Sequence, residues 1–289
     1  CSLPVQMERG QWTWTMGFAM AERHPLIIMA AGKGSRMKAD ADVPDWVREE
    51  AASRPKAMIR IGRERKPLLH HLIEQSVEEG MQHICVVIAE GDDITPSHFR
   101  DHPVAGAQLD FVVQRIPEGR TKPEGTAQAV QLALEAHPEW EGSSVTVANG
   151  DNLPPHGMLT AMCESKACLP AFDGHHLGLP LERVRAFAVI QRAEDGTLAN
   201  IEEKPEQAVI EASRWPDGTV RVSMNYFRMP WAALLDAVRS APMHPVRNER
   251  ELPVAVSLWN AQNHGHLEAL PMKGAFLDLT HPEDIQRAG

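Results

Sequence analysis

The fold is decided by one stretch near the start of the chain, Leu26-Ile27-Ile28-Met29-Ala30-Ala31-Gly32-Lys33-Gly34-Ser35-Arg36-Met37. Its four leading apolar residues are typical of a parallel β-strand buried on both faces. They run directly into a glycine-rich loop, in which backbone N–H groups can come close to phosphate oxygens. The loop matches neither GxxxxGK[ST] nor GxGxxG. Taken alone, it is interpreted equally well as a phosphate-binding loop or as a tight turn between a strand and a helix.

Strand and helix patterns alternate through the rest of the first half. Buried strands are predicted at 84–89, 109–113 and 144–148, and helices at 68–79 and 125–136. This alternation predicts an α/β, Rossmann-like fold with a mainly parallel central sheet and helices on both faces. Ligands bind outside the carboxyl ends of the strands in such sheets. Polar clusters around Gly32, Gln114 and Asp151 each follow a strand, so we expect them to converge on one site.

The second half is less regular and favours antiparallel hairpins. Strands are predicted at 187–191, 198–201 and 220–227, helices at 230–240 and 252–262, and short terminal strands at 267–270 and 276–279. We expect one domain over 23–289, with halves at 23–155 and 156–289. Residues 1–22 have no clean periodicity and are treated as an N-terminal extension of unclear origin.

Composition limits the classes of partner. The 289 residues carry 29 basic and 39 acidic side chains, a net charge of -10, which disfavours nucleic acid and anionic membranes. A few local cations could still hold a small phosphorylated ligand. The four cysteines include no CxxC pair, and no apolar run reaches the ~20 residues that span a bilayer. We expect a cytoplasmic protein with no nucleic-acid or membrane partner.

Further motifs follow the glycine-rich loop in a fixed order. They are Pro55-Lys56, Gly125-Thr126-Ala127-Gln128-Ala129, Asn149-Gly150-Asp151, Glu202-Glu203-Lys204-Pro205, Met224-Asn225-Tyr226-Phe227 and Asp278-Leu279-Thr280-His281-Pro282-Glu283-Asp284. Together with a GxGxR loop, this order resembles the sugar-1-phosphate nucleotidylyltransferases, and most closely their glucose-1-phosphate thymidylyltransferase and uridylyltransferase branch. The resemblance implies a GT-A-type nucleotidyltransferase fold. Its first half would bind the nucleotide, and its smaller antiparallel part would bind the sugar.

The resemblance also implies a reaction, in which a sugar-1-phosphate oxygen attacks the α-phosphorus of an NTP and pyrophosphate leaves. The catalytic cations would be Arg36 and Lys56, and Mg²⁺ would be held by Asp151 and Asp278. Nucleotide binding would fall to Ala31, Gly32, Lys33, Gly34, Gln114, Gly125 and Thr126. Sugar-phosphate binding would fall to Glu203, Lys204 and Asn225.

Gln114 ends a strand and offers both an amide donor and an acceptor, which could read the carbonyl and N–H of a pyrimidine. UTP or dTTP is therefore favoured. Two alternatives stay open: a cytidylyltransferase that acts on a phosphorylated alcohol, and a non-catalytic homologue that binds nucleotide for regulation. A homo-oligomer is also open.

The sequence departs from the family pattern in three places. One is Asp173-Gly174-His175-His176, an irregular region that could shape the sugar pocket. The other two are extended stretches. The segment from Arg36 to Lys56 is longer than usual, and the Pro-Glu-Gly element occurs twice, at 117–119 and 123–125. The resemblance assigns neither stretch a role.

Overall fold

The computed structural model describes residues 24–32, 43–203, 205–263 and 266–288. The strands are β1 (Leu26–Met29), β2 (Arg60–Ile61), β3 (Lys66–Pro67), β4 (His83–Ala89), β5 (Gln108–Gln114), β6 (Ser144–Asn149), β7 (Asn152–Leu153), β8 (Cys168–Asp173), β9 (Val189–Arg192), β10 (Leu198–Glu202), β11 (Arg221–Ser223), β12 (Phe227–Pro230), β13 (Glu268–Met272) and β14 (Leu277–Asp278). The helices are α1 (Asp45–Ser53), α2 (Leu68–Glu78), α3 (Ile94–Asp101), α4 (Thr126–Ala136), α5 (Met158–Cys163), α6 (Leu181–Val184), α7 (Gln207–Ala212), α8 (Trp231–Arg239), α9 (Leu252–Gln262) and α10 (Pro282–Arg287).

A ten-stranded sheet runs through both predicted halves of the chain. Its order is β10-β9-β11-β8-β12-β6-β1-β4-β5, and β13 pairs with β8. Strands β6, β1, β4 and β5 are parallel, as the first half predicts. The second half joins the same sheet where β12 pairs antiparallel with β6. The predicted α/β, Rossmann-like fold is confirmed.

Alternating side chains of the parallel strands supply two cores, one on each face of the sheet. Ile27 and Val147 pack on the face covered by α4, α8 and α9. Ile28 and Val86 pack on the opposite face, which is covered by α2, α3 and α5. Apolar runs without polar alternation are what strands buried on both faces require. Each of these side chains is fully or almost fully buried.

Several elements differ from the predictions. Residues 220–227 form two strands instead of one, because Asn225 adopts a left-handed backbone conformation (φ 60°) between them. Helix α1 occupies part of the polar stretch before Lys56, where Val47 and Ala51 are buried. Strand β8 was not predicted, and it holds Pro170 in a central position.

The cysteines that the structure describes are free thiols. Cys85 and Cys168 are buried, and burial raises the pKa of both thiols to about 12. Across the described ranges, no helix combines the length and apolar character needed to cross a membrane. The predicted extension at 1–22 lies outside the described residues.

Candidate active site

A cleft opens at the carboxyl ends of β1, β5 and β6, where the polar clusters were predicted to meet. Its first cavity, of about 690 Å³, is lined by nine of the predicted site residues, namely Ala31, Gly32, Lys56, Gln114, Gly125, Thr126, Asp151, Glu203 and Asn225. The structure therefore brings these residues together from strand ends that are far apart in sequence. Predicted residues Lys33, Gly34, Arg36 and Lys204 lie outside the described residues.

A second cavity, of about 670 Å³, adjoins the first on the side of the antiparallel strands. The two cavities share Asn149, Asp151 and Asn225. The remaining predicted residue, Asp278, lines the second cavity. Asp151 therefore lies where the two cavities meet, and the cleft has room for two ligands side by side.

Lys56 reaches this junction from a single 3-10 turn, Lys56–Met58, that follows Pro55. Buried Ala57 and Met58 anchor the turn in the core. The Lys56 side chain is only 10% exposed, and its Nζ lies 2.5 Å from Asp151 Oδ2. A cation so little hydrated interacts with a bound anion more strongly than a surface lysine does.

The two predicted metal ligands lie on neighbouring elements. Asp151 follows β6, and its carbonyl accepts a hydrogen bond from Leu279 N–H at 3.0 Å. Asp278 lies on β14, opposite Asn152 of β7. Burial raises the pKa of the Asp278 carboxyl group, and the negative charge of Asp151 raises it further. The two carboxylates are thus close enough to repel each other.

The oxygen atoms of this pair fit a hard cation. Asp151 Oδ1 is buried and has no hydrogen-bond partner among the residues that the structure describes, whereas Oδ2 is bound by Lys56. Asp278 Oδ2 accepts two hydrogen bonds, one from Arg183 Nη2 at 2.6 Å and one from Thr280 Oγ1 at 3.0 Å. Within the described ranges, each carboxylate therefore keeps one oxygen, Oδ1, for a further ligand. An unpaired buried carboxylate oxygen next to a second carboxylate is suited to Mg²⁺, which prefers oxygen ligands.

These carboxylates do not form a complete protein cage for a metal. Within the ranges that the structure describes, no group of three or more His, Cys, Asp or Glu side chains could hold an ion. A bound Mg²⁺ would take its other ligands from water and from phosphate oxygens, as Mg²⁺ commonly does.

Gln114 is held in one orientation by its neighbours. Its Nε2 donates to Gly125 O at 2.8 Å and to Gln128 Oε1 at 3.0 Å. Because a backbone carbonyl can only accept, the amide group of Gln114 cannot be turned over. Glu124 N–H donates to Gln128 Oε1 at 3.0 Å and fixes that amide in the same way. Both amide hydrogens of Gln114 are thus occupied, and its Oε1 is the atom left for a ligand.

The loop that begins α4 is tied to residues 249–252. Gly125 adopts φ 105°, and a Cβ placed there would lie 2.5 Å from Arg250 O. Thr126 Oγ1 accepts a hydrogen bond from Leu252 N–H at 2.9 Å. Arg250 Nη2 pairs with Glu124 at 2.8 Å. This close approach requires glycine at position 125.

The structure adds three cations that sequence reasoning missed. Lys122 and Arg247 line the first cavity, and Arg183 lines the second. Arg183 bridges Asp278 and Asp284, with Nη1 at 2.7 Å from Asp284 Oδ1. No local motif marks these residues, because distant segments of the chain bring them to the cleft.

Known proteins resemble the chain in sequence and in fold. Residues 26–229 match the family model described as Nucleotidyl transferase. The bifunctional protein GlmU of Methanococcus maripaludis is 25% identical over 263 residues, covering 91% of this chain and 53% of its own length. The bifunctional protein GlmU of Acidovorax ebreus is 31% identical over 182 residues, covering 62% of this chain and 33% of its own length. The chain therefore spans about half, or less, of these curated relatives.

Solved structures show the same fold. HddC from Yersinia pseudotuberculosis superposes with a TM-score of 0.59 at 22% identity, covering 92% of this chain and 97% of HddC. A glucose-1-phosphate thymidylyltransferase, so described, from Bacillus anthracis superposes with a TM-score of 0.64 at 19% identity, covering 92% of this chain and 93% of that one. The family match extends from β1 to β12 and includes the strand ends that build the cleft, so the chain belongs to the nucleotidyl transferase family.

Proposed function

We propose that the protein transfers a nucleotidyl group from UTP or dTTP to a sugar 1-phosphate and releases pyrophosphate. One observation carries the proposal: the Lys56–Asp151 pair lies where two cavities meet, so a nucleotide in one and a sugar phosphate in the other would react beside it. Membership of the nucleotidyl transferase family supports nucleotidyl transfer as the reaction class.

In this proposal the protein supplies charge and alignment, and the sugar phosphate supplies the nucleophile. One phosphate oxygen of the sugar 1-phosphate forms a bond to the α-phosphorus as the bond to the β-phosphate oxygen breaks. Lys56 neutralises charge between the two anionic substrates, and the loop that contains Arg36 and Lys33 holds the triphosphate. Such positioning and charge stabilisation is the main contribution that proteins make to phosphoryl chemistry.

The two carboxylates have a separate proposed role. Asp151 Oδ1 and Asp278 Oδ1 would hold Mg²⁺, while Lys56 and Arg183 keep the other oxygens in place. When bound, Mg²⁺ would supply positive charge against the phosphate oxygens. Glu203, Lys204 and Asn225 would contact the sugar phosphate.

The fixed orientation of the Gln114 amide supports the proposed preference for uracil or thymine nucleotides. Its free Oε1 would accept the N3–H of uracil or thymine, whereas adenine presents an acceptor, N1, in the matching place. Guanine also carries a ring N–H, and HddC, one of the solved neighbours, was crystallised in complex with GMP-PN. GTP is therefore included in the test.

The proposal is tested by measuring pyrophosphate release for UTP, dTTP, GTP, CTP and ATP, each crossed with several sugar 1-phosphates and with a phosphorylated alcohol, with and without Mg²⁺. We expect release to require a sugar 1-phosphate and to be fastest with UTP or dTTP. Release only from CTP with a phosphorylated alcohol would assign the alternative reaction. Tight nucleotide binding with no release from any pair would identify a non-catalytic binder and contradict the proposal.

A further inference from the structure

A third cavity, of about 710 Å³, lies outside the proposed active site and is lined mainly by basic side chains and histidines. The residues that matter here are Arg54, Arg60, Arg65, His70, His98 and His102. None of them lines either cavity of the cleft. The cavity therefore needs an explanation of its own.

The longer segment before Lys56 builds one side of this cavity. Helix α1 places Glu50 in the interior, where its side chain is 3% exposed. Three guanidinium groups contact this single carboxylate: Arg54 at 3.0 Å, Arg60 at 2.7 Å and Arg65 at 3.4 Å. The cluster of three arginines and Glu50 thus carries two positive charges in excess.

Nearby carboxylates are engaged with other cations. Lys66 contacts both Glu64 and Glu74 at 3.0 Å. Asp101 lies 3.2 Å from Arg100. Lys66 with its two carboxylates carries one net negative charge, and the Arg100–Asp101 pair is neutral, so one of the two excess positive charges of the three arginines and Glu50 is left.

The arginines also have donors to spare. A guanidinium group carries five N–H donors in a planar fork, and Glu50 uses only part of those of Arg54 and Arg60. Arg65 lies over the ring of Trp46 at 4.7 Å, which holds its planar group in place. Several guanidinium groups directed at one cavity are suited to the oxygens of a phosphate group.

The histidines His70, His98 and His102 also line this third cavity. His70 Nδ1 and His98 Nε2 are 3.0 Å apart and share a hydrogen bond. The pKa of His98 is lowered to about 4, because the ring is partly buried and because His70, His102 and Arg54 disfavour another positive charge. His98 is therefore neutral at neutral pH and can offer hydrogen bonds to a ligand in the cavity without adding charge.

We propose that this cavity binds a phosphate group, either as free phosphate or on a small phosphorylated metabolite. Arg54 and Arg60 stand on either side of Lys56 in sequence, so a bound phosphate would hold both ends of the segment that carries Lys56. The inserted segment would then serve as the wall of a second anion site. This binding does not depend on the proposed nucleotidyl transfer.

The test is calorimetric titration of the 289-residue chain with inorganic phosphate and with glucose 6-phosphate, in the absence of Mg²⁺ and nucleotide. The test variants are Arg65→Gln, whose side chain is 42% exposed, and the double variant Arg54→Gln/Arg65→Gln. The matched control is Arg63→Gln, which removes an exposed charge two residues from Arg65 but does not line the cavity. The Lys56→Met variant tests whether phosphate binding in this cavity is independent of the cleft.

We expect saturable one-to-one binding in the wild type, Lys56→Met and Arg63→Gln, and affinity at least about tenfold weaker in the double variant, because charge-assisted hydrogen bonds are lost. Arg65→Gln alone should weaken binding and leave the melting temperature unchanged. Tighter binding of glucose 6-phosphate would identify a metabolite as the ligand, and tighter binding of inorganic phosphate would identify the free ion. Absence of saturable binding, equal affinity in the double variant and wild type, equal losses in Arg63→Gln, or loss of all binding in Lys56→Met would each overturn the proposal.

Discussion

Replacing Lys56 by Met removes the charge at the centre of the proposed mechanism while keeping a side chain of similar length. Lys56 Nζ lies 2.5 Å from Asp151 Oδ2 and is 10% exposed, so water can replace its charge only poorly. Loss of one well-placed stabilising group lowers kcat by roughly 10²–10³, or about 2.7–4 kcal/mol. We expect Lys56→Met to fall in that range.

Stability should change much less than rate. The Asp151 side chain is 32% exposed, so solvent can compensate its carboxylate when Lys56 is removed. An ion pair with one such partner contributes about 1 kcal/mol, which corresponds to roughly 2–4 °C in melting temperature for a protein of about this size. A large loss of rate with a small thermal shift separates a functional role from a structural one.

The assay is steady-state pyrophosphate release at saturating nucleotide, with thermal denaturation of the same preparations. Lys166→Met is the control, since Lys166 is an exposed lysine that lines neither cavity of the cleft. A Lys56→Met enzyme that keeps more than a tenth of the wild-type kcat would refute the assigned role of Lys56.

Substitutions at three further positions test the surroundings of the cleft. Gln128→Met removes one of the two acceptors of the Gln114 amide and frees an N–H that could pair with N1 of adenine, so discrimination between UTP and ATP in kcat/KM should fall about tenfold, whereas Gln128→Glu should preserve it. Arg183→Met leaves Asp278 without its cationic partner and should raise the Mg²⁺ concentration for half-maximal rate about tenfold, with Arg183→Lys intermediate. Gly125→Ala would bring a Cβ within 2.5 Å of a backbone oxygen and should lower the free energy of unfolding by about 2–4 kcal/mol, measured by urea denaturation.

For each of these three positions, one result would contradict the prediction. Unchanged base discrimination in Gln128→Met would mean that the Gln114 amide does not select the base. An unchanged Mg²⁺ titration in Arg183→Met would remove Arg183 from the metal site. A Gly125→Ala variant as stable as the wild type would show that the loop can move away from Arg250.

The strand ends could be predicted from sequence because their signals are local. Each combines an apolar run with a polar or glycine-rich segment at or just after the strand end, around Gly32, Gln114 and Asp151, and parallel strands bring such ends to one edge of a sheet. The mainly parallel order of β6, β1, β4 and β5 follows from the same alternation.

Other features could not be predicted, for identifiable physical reasons. Strand β8 contains Pro170, which normally argues against a central strand. Helix α1 carries many charges and buries only Val47, Glu50 and Ala51, so its periodicity is weak. Arg183 has the appearance of an ordinary surface cation until the fold brings it to Asp278.

A single sequence also does not show which donor and acceptor atoms of a side chain are already occupied by other parts of the protein. Gln114 offers both groups in principle, which suggested recognition of a pyrimidine through a carbonyl and an N–H. Its donors are occupied by Gly125 and Gln128, segments of the chain that lie beyond its own strand. The oxygen that is left favours a base with a ring N–H.

The central claim is that a sugar phosphate oxygen attacks the α-phosphorus of the nucleotide, and an isotope experiment tests it most directly. A sugar 1-phosphate labelled with ¹⁸O in its nonbridging phosphate oxygens is incubated with UTP, Mg²⁺ and the wild-type enzyme. The ¹⁸O content of each product is then measured by mass spectrometry. The mechanism predicts that all of the label is found in the NDP-sugar and none in pyrophosphate. Label in pyrophosphate or free phosphate, or consumption of UTP without a labelled NDP-sugar, would contradict it.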